Sequence, residues 1–274
     1  MVYKYEFEII KRDPLSFKST PIIINNYNRL DCLDKLINRL KIDGYKNIYI
    51  IDNNSSYKPL LSYYKKNNLR IFRLNQNIGY LAVWLTNIYK IFINDYYVYT
   101  DPDVLPDPDC PSNYLEVFRN YLKYFPNLDK VGFSLRIDNL PAHCRLKDEV
   151  IKHEEKFWKL KISDNLYDAP IDTTFALYRP GAYGEAAKTK SGRTGFPYVA
   201  QHLPWYLNHK KLTEEEIWYL KCKKTETHWS DHPSNFSILK KYYLLFINNQ
   251  IPQVWTIRSI GKKVINWIFK KEIV

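Results

Sequence analysis

The sequence lacks the features that mark several common protein classes. Its 274 residues include only eight glycines and four cysteines, and no two cysteines form a Cys-x-x-Cys pair, which argues against a zinc knuckle or a disulfide framework. No apolar run is long enough to cross a bilayer, and the first residues lack the apolar stretch of a signal peptide. We therefore expect a cytoplasmic protein whose cysteines are reduced and partly buried.

What the chain does contain is a large apolar fraction and a strong positive charge. Hydrophobic residues make up 45% of it, which is enough for one substantial core. The formal net charge of +12 implies attraction to polyanions, which could be nucleic acid, an anionic membrane surface or phosphorylated substrates. No helix-turn-helix, zinc spacing or RNA-binding aromatic motif appears, so nucleic acid is the least favoured of these partners.

Short apolar runs alternate with helical patterns along the first half of the chain. Strands are predicted at residues 21–24, 47–51, 70–74 and 96–100, with helices between them at 30–40, 57–66 and 80–93. Apolar runs without polar alternation indicate strands that are buried on both faces, as in a parallel sheet covered by helices. Successive strand and helix units therefore predict an α/β fold with a Rossmann-like, mostly parallel sheet flanked by helices.

The second half of the chain is less regular. Helices are predicted near residues 113–124 and 147–158, and a charged helix near 213–223 begins at Thr213, with Glu216 completing a capping box. Residues 184–195 show no periodicity, which predicts a mobile loop that is either a lid over a charged substrate or a plain surface loop.

The strand at residues 96–100 ends in Asp101-Pro102-Asp103. Two carboxylates with a rigid proline between them can hold a hard divalent cation that also binds phosphate oxygens. The alternative is that Asp-Pro simply opens a turn. We interpret the near copy Asp107-Pro108-Asp109 in that second way, because it does not directly follow the strand.

Four motifs occur at the ends of predicted strands in a fixed order. They are the Tyr-Asn-Arg loop at residues 21–29, the segment 50–55, Asn77-Ile78-Gly79, and the segment 99–103. In this order they resemble the GT-A class of nucleotide-sugar-dependent glycosyltransferases, and they are similar to its large bacterial inverting family. The resemblance covers about the first half of the chain, and it implies a GT-A fold with an irregular acceptor-binding C-terminal part.

The resemblance also implies roles for individual residues. Asp52 is expected to contact the base or ribose, although an Asx turn is the alternative for this residue. Asp103 is expected to be the principal carboxylate on Mn²⁺ or Mg²⁺, with Asp101 facing both ribose and metal. The other residues expected at the donor pocket are Asn25, Asn26, Tyr27, Arg29, Asn77 and Gly79.

Four residues in the second half complete the predicted site. Arg193 could assist the departing diphosphate, and His202 could touch diphosphate or acceptor. His228 could join the metal shell, although a histidine packed among aromatic residues is the commoner situation. Asp172 is the candidate base for the acceptor hydroxyl, because an apolar surround would raise the pKa of its carboxyl. Its alternative is a turn-forming residue, and a retaining enzyme would need no such base.

The expected activity is transfer of a sugar from a nucleoside diphosphate, with a UDP-sugar as the expected donor, to a glycan or lipid-linked acceptor. A sugar nucleotidyltransferase is the main rival, but it is expected to have a glycine-rich phosphate loop after the first strand, where this chain has no glycine.

The expected domains are a leader at residues 1–20, a catalytic domain at 21–245 that divides into a nucleotide-binding half (21–136) and an acceptor half (137–245), and a basic helical extension at 246–274. That extension could lie on the inner face of a membrane or pack on the domain.

Overall fold

The described part of the chain is built around a mixed sheet of eleven strands. The computed structural model describes residues 3–144, 146–184, 186–208 and 210–223. His228 and the extension at 246–274 lie outside the described residues, as does the end of the expected acceptor half. The strands are β1 (Tyr3–Lys4), β2 (Ile22–Asn26), β3 (Ile48–Asp52), β4 (Arg70–Leu74), β5 (Tyr97–Thr100), β6 (Val104–Pro106), β7 (Lys130–Leu135), β8 (Lys161–Ser163), β9 (Leu166–Asp168), β10 (Ala176–Tyr178) and β11 (Ser191–His202).

The described α-helices cover both faces of this sheet. Leu33, Leu36 and Leu40 recur at helical spacing on the first helix and pack on one face, together with the second and fourth helices. Ala82 and Val83 of the short third helix pack on the other face. The helices are α1 (Asp31–Ile42), α2 (Lys58–Lys66), α3 (Ala82–Leu85), α4 (Tyr114–Tyr124), α5 (Lys147–Glu154) and α6 (Glu214–Cys222).

The first half of the chain forms the parallel part of the sheet. Strands β4, β3, β2 and β5 are neighbours in that order, and all of their pairings are parallel. Every residue of β2, β3 and β5 is buried, as expected for strands covered on both faces. The predicted α/β class, with a parallel sheet flanked by helices, is confirmed. The carboxyl ends of these strands lie at one edge, which we call the carboxyl edge.

The second half extends the sheet with strands of both directions. The strand β10 is antiparallel to β5 and to β7, so β7 runs in the same direction as β5. The strand β11 is parallel to β7, which brings its end at His202 to the carboxyl edge. Gly132 of β7 allows the close approach of β10, since a Cβ at this position would lie 2.2 Å from the Phe175 carbonyl oxygen.

Two sequence predictions, one in each half of the chain, differ from the structure. The mobile loop expected at residues 184–195 ends at Ser191, where β11 begins as a buried strand paired with β7 and β9. Residues 191–195 therefore cannot form part of a lid. The helix expected at residues 80–93 is also interrupted, because Asn87 has a φ of 62° and separates α3 from a 3₁₀ turn at Ile88–Ile91.

Other expectations agree with the structure. Cys32, Cys110 and Cys144 are buried, and all four cysteines are free thiols. None of the helices in the described ranges has the length and apolar character needed to cross a membrane.

Candidate functional site

The carboxyl edge brings the first three motifs together through asparagine side chains. Asn53, directly after β3, donates from Nδ2 to Asn25 Oδ1 (2.5 Å) and to the Gly79 carbonyl oxygen (3.3 Å). Its Oδ1 accepts from the Ile78 N–H (3.2 Å), and Asn77 Oδ1 accepts from the Gly79 N–H (2.9 Å). Asn53 therefore links the ends of β2 and β3 to the 77–79 turn. Sequence reasoning assigned it no role, although it lies inside a recognised motif.

Asp52 ends β3 but points into the protein. Its side chain is fully buried, and its carboxylate accepts from the Ser55 N–H (3.3 Å) and the Tyr64 hydroxyl (3.4 Å). Arg73 Nη1 lies 3.5 Å away. Burial raises the pKa of the Asp52 carboxyl, against the effect of these donors. The Ser55 N–H lies three residues on, so this hydrogen bond is not that of an Asx turn, which spans two residues, and contact with a base or ribose stays a prediction.

Asn26 is buried beside Asp52 rather than displayed at the edge. Its Nδ2 donates to the Tyr64 hydroxyl at 2.8 Å. Asn26 and Asp52 are directly paired between β2 and β3. The Asn26 side chain therefore lies in the protein interior, and its predicted contact with a donor stays a prediction.

Asp101 and Asp103 lie at the end of β5, in the middle of the carboxyl edge. Asp101 is half-buried and accepts from the Thr173 hydroxyl (2.5 Å). Burial raises the pKa of the Asp101 carboxyl well above its ordinary value, and the nearby charges of Asp103 and Asp172 raise it further. Asp101 and Asp103 thus lie together at the end of β5, and the loop that carries Asp172 lies beside them.

His202 lies beside Asp103 because the end of β11 pairs with β6. His202 Nε2 is 3.9 Å from Asp103 Oδ2, and the Asp103 carbonyl oxygen accepts from the Leu203 N–H (2.9 Å). Burial lowers the pKa of His202, although the Asp103 carboxylate opposes the effect. Within the described ranges, His202 Nδ1 is buried and has no hydrogen-bond partner. The imidazole is therefore placed to act as a neutral ligand or hydrogen-bonding group.

Asp172 is close to this group, but not in the surroundings expected for it. The residue is exposed, so the expectation of an apolar surround is wrong. It lies in the loop before β10, where its carbonyl oxygen accepts from Lys130 Nζ at 3.4 Å. The next residue, Thr173, donates a hydrogen bond to Asp101, so the loop that carries Asp172 lies beside the end of β5.

Arg193 is buried in the sheet rather than displayed at a substrate-binding surface. Its Nη1 donates to Glu154 Oε2 (2.9 Å), its Nε donates to the Pro170 carbonyl oxygen (2.8 Å), and its guanidinium lies 4.2 Å from the Phe157 ring centroid. Burial lowers the pKa of Arg193, although Glu154 opposes that effect. Contact with a diphosphate stays a prediction, and it would require this ion pair to open.

The Tyr-Asn-Arg loop is held by α6. Arg29 forms a buried ion pair with Glu216, and its guanidinium lies 3.7 Å from the Tyr219 ring centroid. Glu215 Oε2 accepts from the Leu30 and Asp31 N–H groups at 2.8 and 2.9 Å, which caps α1.

The two ends of α6 complete this contact. Tyr27 donates from its hydroxyl to the Cys222 carbonyl oxygen at 2.9 Å. At the other end, the Thr213 hydroxyl accepts from the Glu216 N–H at 3.3 Å, as predicted for the N-cap. The Glu216 carboxylate, however, binds Arg29. No local pattern could have predicted that pairing, because it joins residues 187 positions apart.

The carboxylates at the carboxyl edge are suited to a divalent cation only in part. In the part of the chain that the structure describes, no three His, Cys, Asp or Glu side chains form a group that could hold a metal ion by themselves. Magnesium and similar ions in phosphate-transfer sites commonly take one or two carboxylates and complete their shell with water and substrate phosphate oxygens. Asp101 and Asp103 provide that smaller set, so the residues fit a cation that is bound together with a diphosphate.

No protein-family model matches the chain, and no curated protein matches it. Solved structures with partial similarity include S. aureus TarS 1–349, with 12% identity over 68% of this chain and 60% of that chain (TM-score 0.42). Another is glucosyl-3-phosphoglycerate synthase from Mycobacterium tuberculosis, with 9% identity over 59% of this chain and 56% of that one (TM-score 0.37). A Leptospira borgpetersenii cytidylyltransferase has 13% identity over 87% of this chain and 98% of its own (TM-score 0.35). This chain thus spans less than two thirds of the first two, and TM-scores below 0.5 establish neither a family nor a reaction.

Proposed function

We propose that this protein is a metal-dependent glycosyltransferase of the GT-A type. It moves a sugar from a nucleoside diphosphate, with UDP as the expected nucleotide, to a glycan or lipid-linked acceptor. The observation that carries the proposal is the pair Asp101 and Asp103 at the end of the central strand β5, where a parallel sheet binds its ligands, with Thr173 bonded to Asp101 and His202 3.9 Å from Asp103.

The chemistry requires charge stabilisation at the leaving group. Breaking the bond between the anomeric carbon and the diphosphate oxygen leaves negative charge on the diphosphate, and Mn²⁺ or Mg²⁺ supplies the opposite charge when it is bound. Asp103 and Asp101 are the residues that would hold that ion. The Asn25 and Asn53 amides, which are linked at 2.5 Å, keep the neighbouring strand ends in place around it.

The acceptor side of the reaction needs a group that takes a proton from the attacking hydroxyl. Asp172 is exposed beside the carboxylates of β5, so an acceptor hydroxyl can reach it from solvent. His202, next to Asp103, is placed to hydrogen-bond to the diphosphate or to the acceptor. An extension at residues 246–274 that touches the inner face of a membrane would suit a lipid-linked acceptor.

The two Asp-Pro-Asp segments allow a matched test. Asp103→Asn should reduce metal-dependent sugar transfer about 100-fold or more, because the loss of a group that stabilises transition-state charge has effects of that order. Asp109→Asn changes the equivalent residue of the second segment, whose side chain is 88% exposed, and should leave transfer unchanged.

The reaction is followed by release of the nucleoside diphosphate from a panel of sugar nucleotides with Mn²⁺ or Mg²⁺. Equal rates for the two variants would contradict the proposal. Release of pyrophosphate from a nucleoside triphosphate and a sugar phosphate would instead favour the nucleotidyltransferase.

A further inference from the structure

Asp101 is held by a segment that is distant in the chain. The loop between β9 and β10 crosses the end of β5, and Thr173 in this loop makes two hydrogen bonds to Asp101. The Thr173 hydroxyl donates to Asp101 Oδ2 at 2.5 Å, and the Thr173 carbonyl oxygen accepts from the Asp101 N–H at 3.2 Å. Thr173 is only 6% exposed, so water does not readily replace it in these contacts.

The loop itself is anchored to the core. Lys130, which is fully buried at the start of β7, donates to the Asp172 carbonyl oxygen (3.4 Å) and to the Tyr178 hydroxyl (3.0 Å). The Tyr178 ring stacks on Tyr97 of β5, with centroids 5.0 Å apart. The residue that binds Asp101 is therefore fixed relative to the same strand that carries Asp101.

The hydroxyl at position 173 differs from the one beside it. Thr174 Oγ1 is also buried, but it has no hydrogen-bond partner within the described part of the chain. Two adjacent threonines thus offer a hydroxyl that contacts the candidate metal site and one that does not. A comparison of variants at positions 173 and 174 therefore distinguishes a role at the site from a general role of threonine in the loop.

The contact matters because of the charges around Asp101. Asp103 and Asp172 are the charged groups that act most strongly on it, and like charges push a carboxylate away from its neighbours. A hydrogen-bond donor on Oδ2 opposes that rotation, and the Asn25 side chain, whose hydrogen bond lowers the pKa of Asp101, also restrains the carboxylate. Threonine suits this task because its branched side chain restricts χ1.

We propose that Thr173 is a positioning residue for the metal site, and that its hydroxyl sets the orientation of the Asp101 carboxylate for a divalent cation and its bound diphosphate. The inference rests on the proposed function, since it assumes that Asp101 and Asp103 hold the ion. Thr173 itself contacts neither the ion nor the substrate.

The test compares Thr173→Val, Thr173→Ser and Thr174→Val with the wild-type chain. Mn²⁺ binding, with UDP present and no sugar, is measured by calorimetry and by the electron paramagnetic resonance signal of free Mn²⁺. Thr173→Val should weaken binding by about 10- to 100-fold, the usual effect of removing a hydrogen bond to a metal ligand. Thr173→Ser restores the hydroxyl and should bind within a few-fold of wild type, and Thr174→Val should match wild type.

A purely structural role gives a different result. In that case Thr173→Val lowers the melting temperature but binds Mn²⁺ as wild type does, which would overturn the inference. If Thr173→Val does not fold, Thr173→Ala replaces it, with the same expected loss of binding.

Asp103→Asn separates this inference from the proposed function. If Asp103→Asn abolishes Mn²⁺ binding and the Thr173 variants retain it, only the inference fails. If neither wild type nor any variant binds Mn²⁺, both fail.

Discussion

The ends of β3 and β5 look alike in sequence but form different environments. Each strand is a buried run that finishes at an aspartate, Asp52 in one case and Asp101 in the other. Asp52 is fully buried among hydrogen-bond donors from Ser55, Tyr64 and Arg73. Asp101 is half-buried, and other carboxylates are the charges that act most strongly on it.

The difference shows what separates a structural carboxylate from a ligand-binding one. At Asp52 the nearby charge that offsets part of the cost of burial is the guanidinium of Arg73. At Asp101 the protein supplies hydrogen bonds, but the nearby charges are those of other carboxylates, and we propose that a cation supplies the opposite charge. Proteins tolerate such local excess of charge where function requires it, at a cost in stability. The carboxyl edge therefore holds one carboxylate with a structural role and a pair that we propose as ligands of a metal ion.

The largest effect that tests this comparison is expected from Asp52→Ala. The substitution leaves the buried Ser55 N–H and the Tyr64 hydroxyl without their acceptor, which should reduce the free energy of unfolding by roughly 1–3 kcal/mol. Urea unfolding followed by circular dichroism measures the change. Asp109→Ala provides an exposed control and should have no effect. A wild-type free energy of unfolding for Asp52→Ala would show that the interior of the β3 end does not depend on this carboxylate.

A smaller effect of opposite sign is expected from Asp101→Asn. The amide oxygen can still accept from the Thr173 hydroxyl, while the repulsion with Asp103 and Asp172 is removed. In the absence of divalent ions, the free energy of unfolding should rise by about 0.5–2 kcal/mol, as for other site residues that hold uncompensated charge. Mn²⁺ should stabilise wild type but not the variant. A loss of stability as large as that of Asp52→Ala would remove the distinction between the two strand ends.

The smallest expected effect is the pH dependence of the stability that Asp52 contributes. Burial raises the pKa of its carboxyl above the ordinary value of 3.8, so the folded protein binds this proton more tightly than the unfolded chain. The stability that Asp52 contributes is therefore complete below that value and declines as the pH rises through the raised pKa. The difference in unfolding free energy between wild type and Asp52→Ala should be larger at pH 4 than at pH 7. A difference that grows from pH 4 to pH 7 would mean that the pKa is lowered instead.

Sequence reasoning worked best where local pattern and topology act together. The strands β2 to β5 were predicted because buried parallel strands have a characteristic apolar run, and the meeting of their ends follows from parallel pairing. It worked least well for residues 191–195, which the sequence predicts as a loop but which begin β11, because pairing with β7 and β9 compensates for their lack of periodicity. The ion pair of Arg193 with Glu154 and that of Arg29 with Glu216 depend on contacts between distant segments.

The amino-acid sequence by itself determined the α/β class, the order of the strand-end motifs and the position of Asp101 and Asp103 at one edge. These features follow from apolar periodicity and from turns, which are set by residues close together in the sequence. Only the tertiary structure decided which carboxylate is compensated, because counter-charges and hydrogen-bond donors come from residues far apart in the chain. Burial of Asp52 and Arg193, exposure of Asp172 and the contact between Thr173 and Asp101 are all results of that long-range packing.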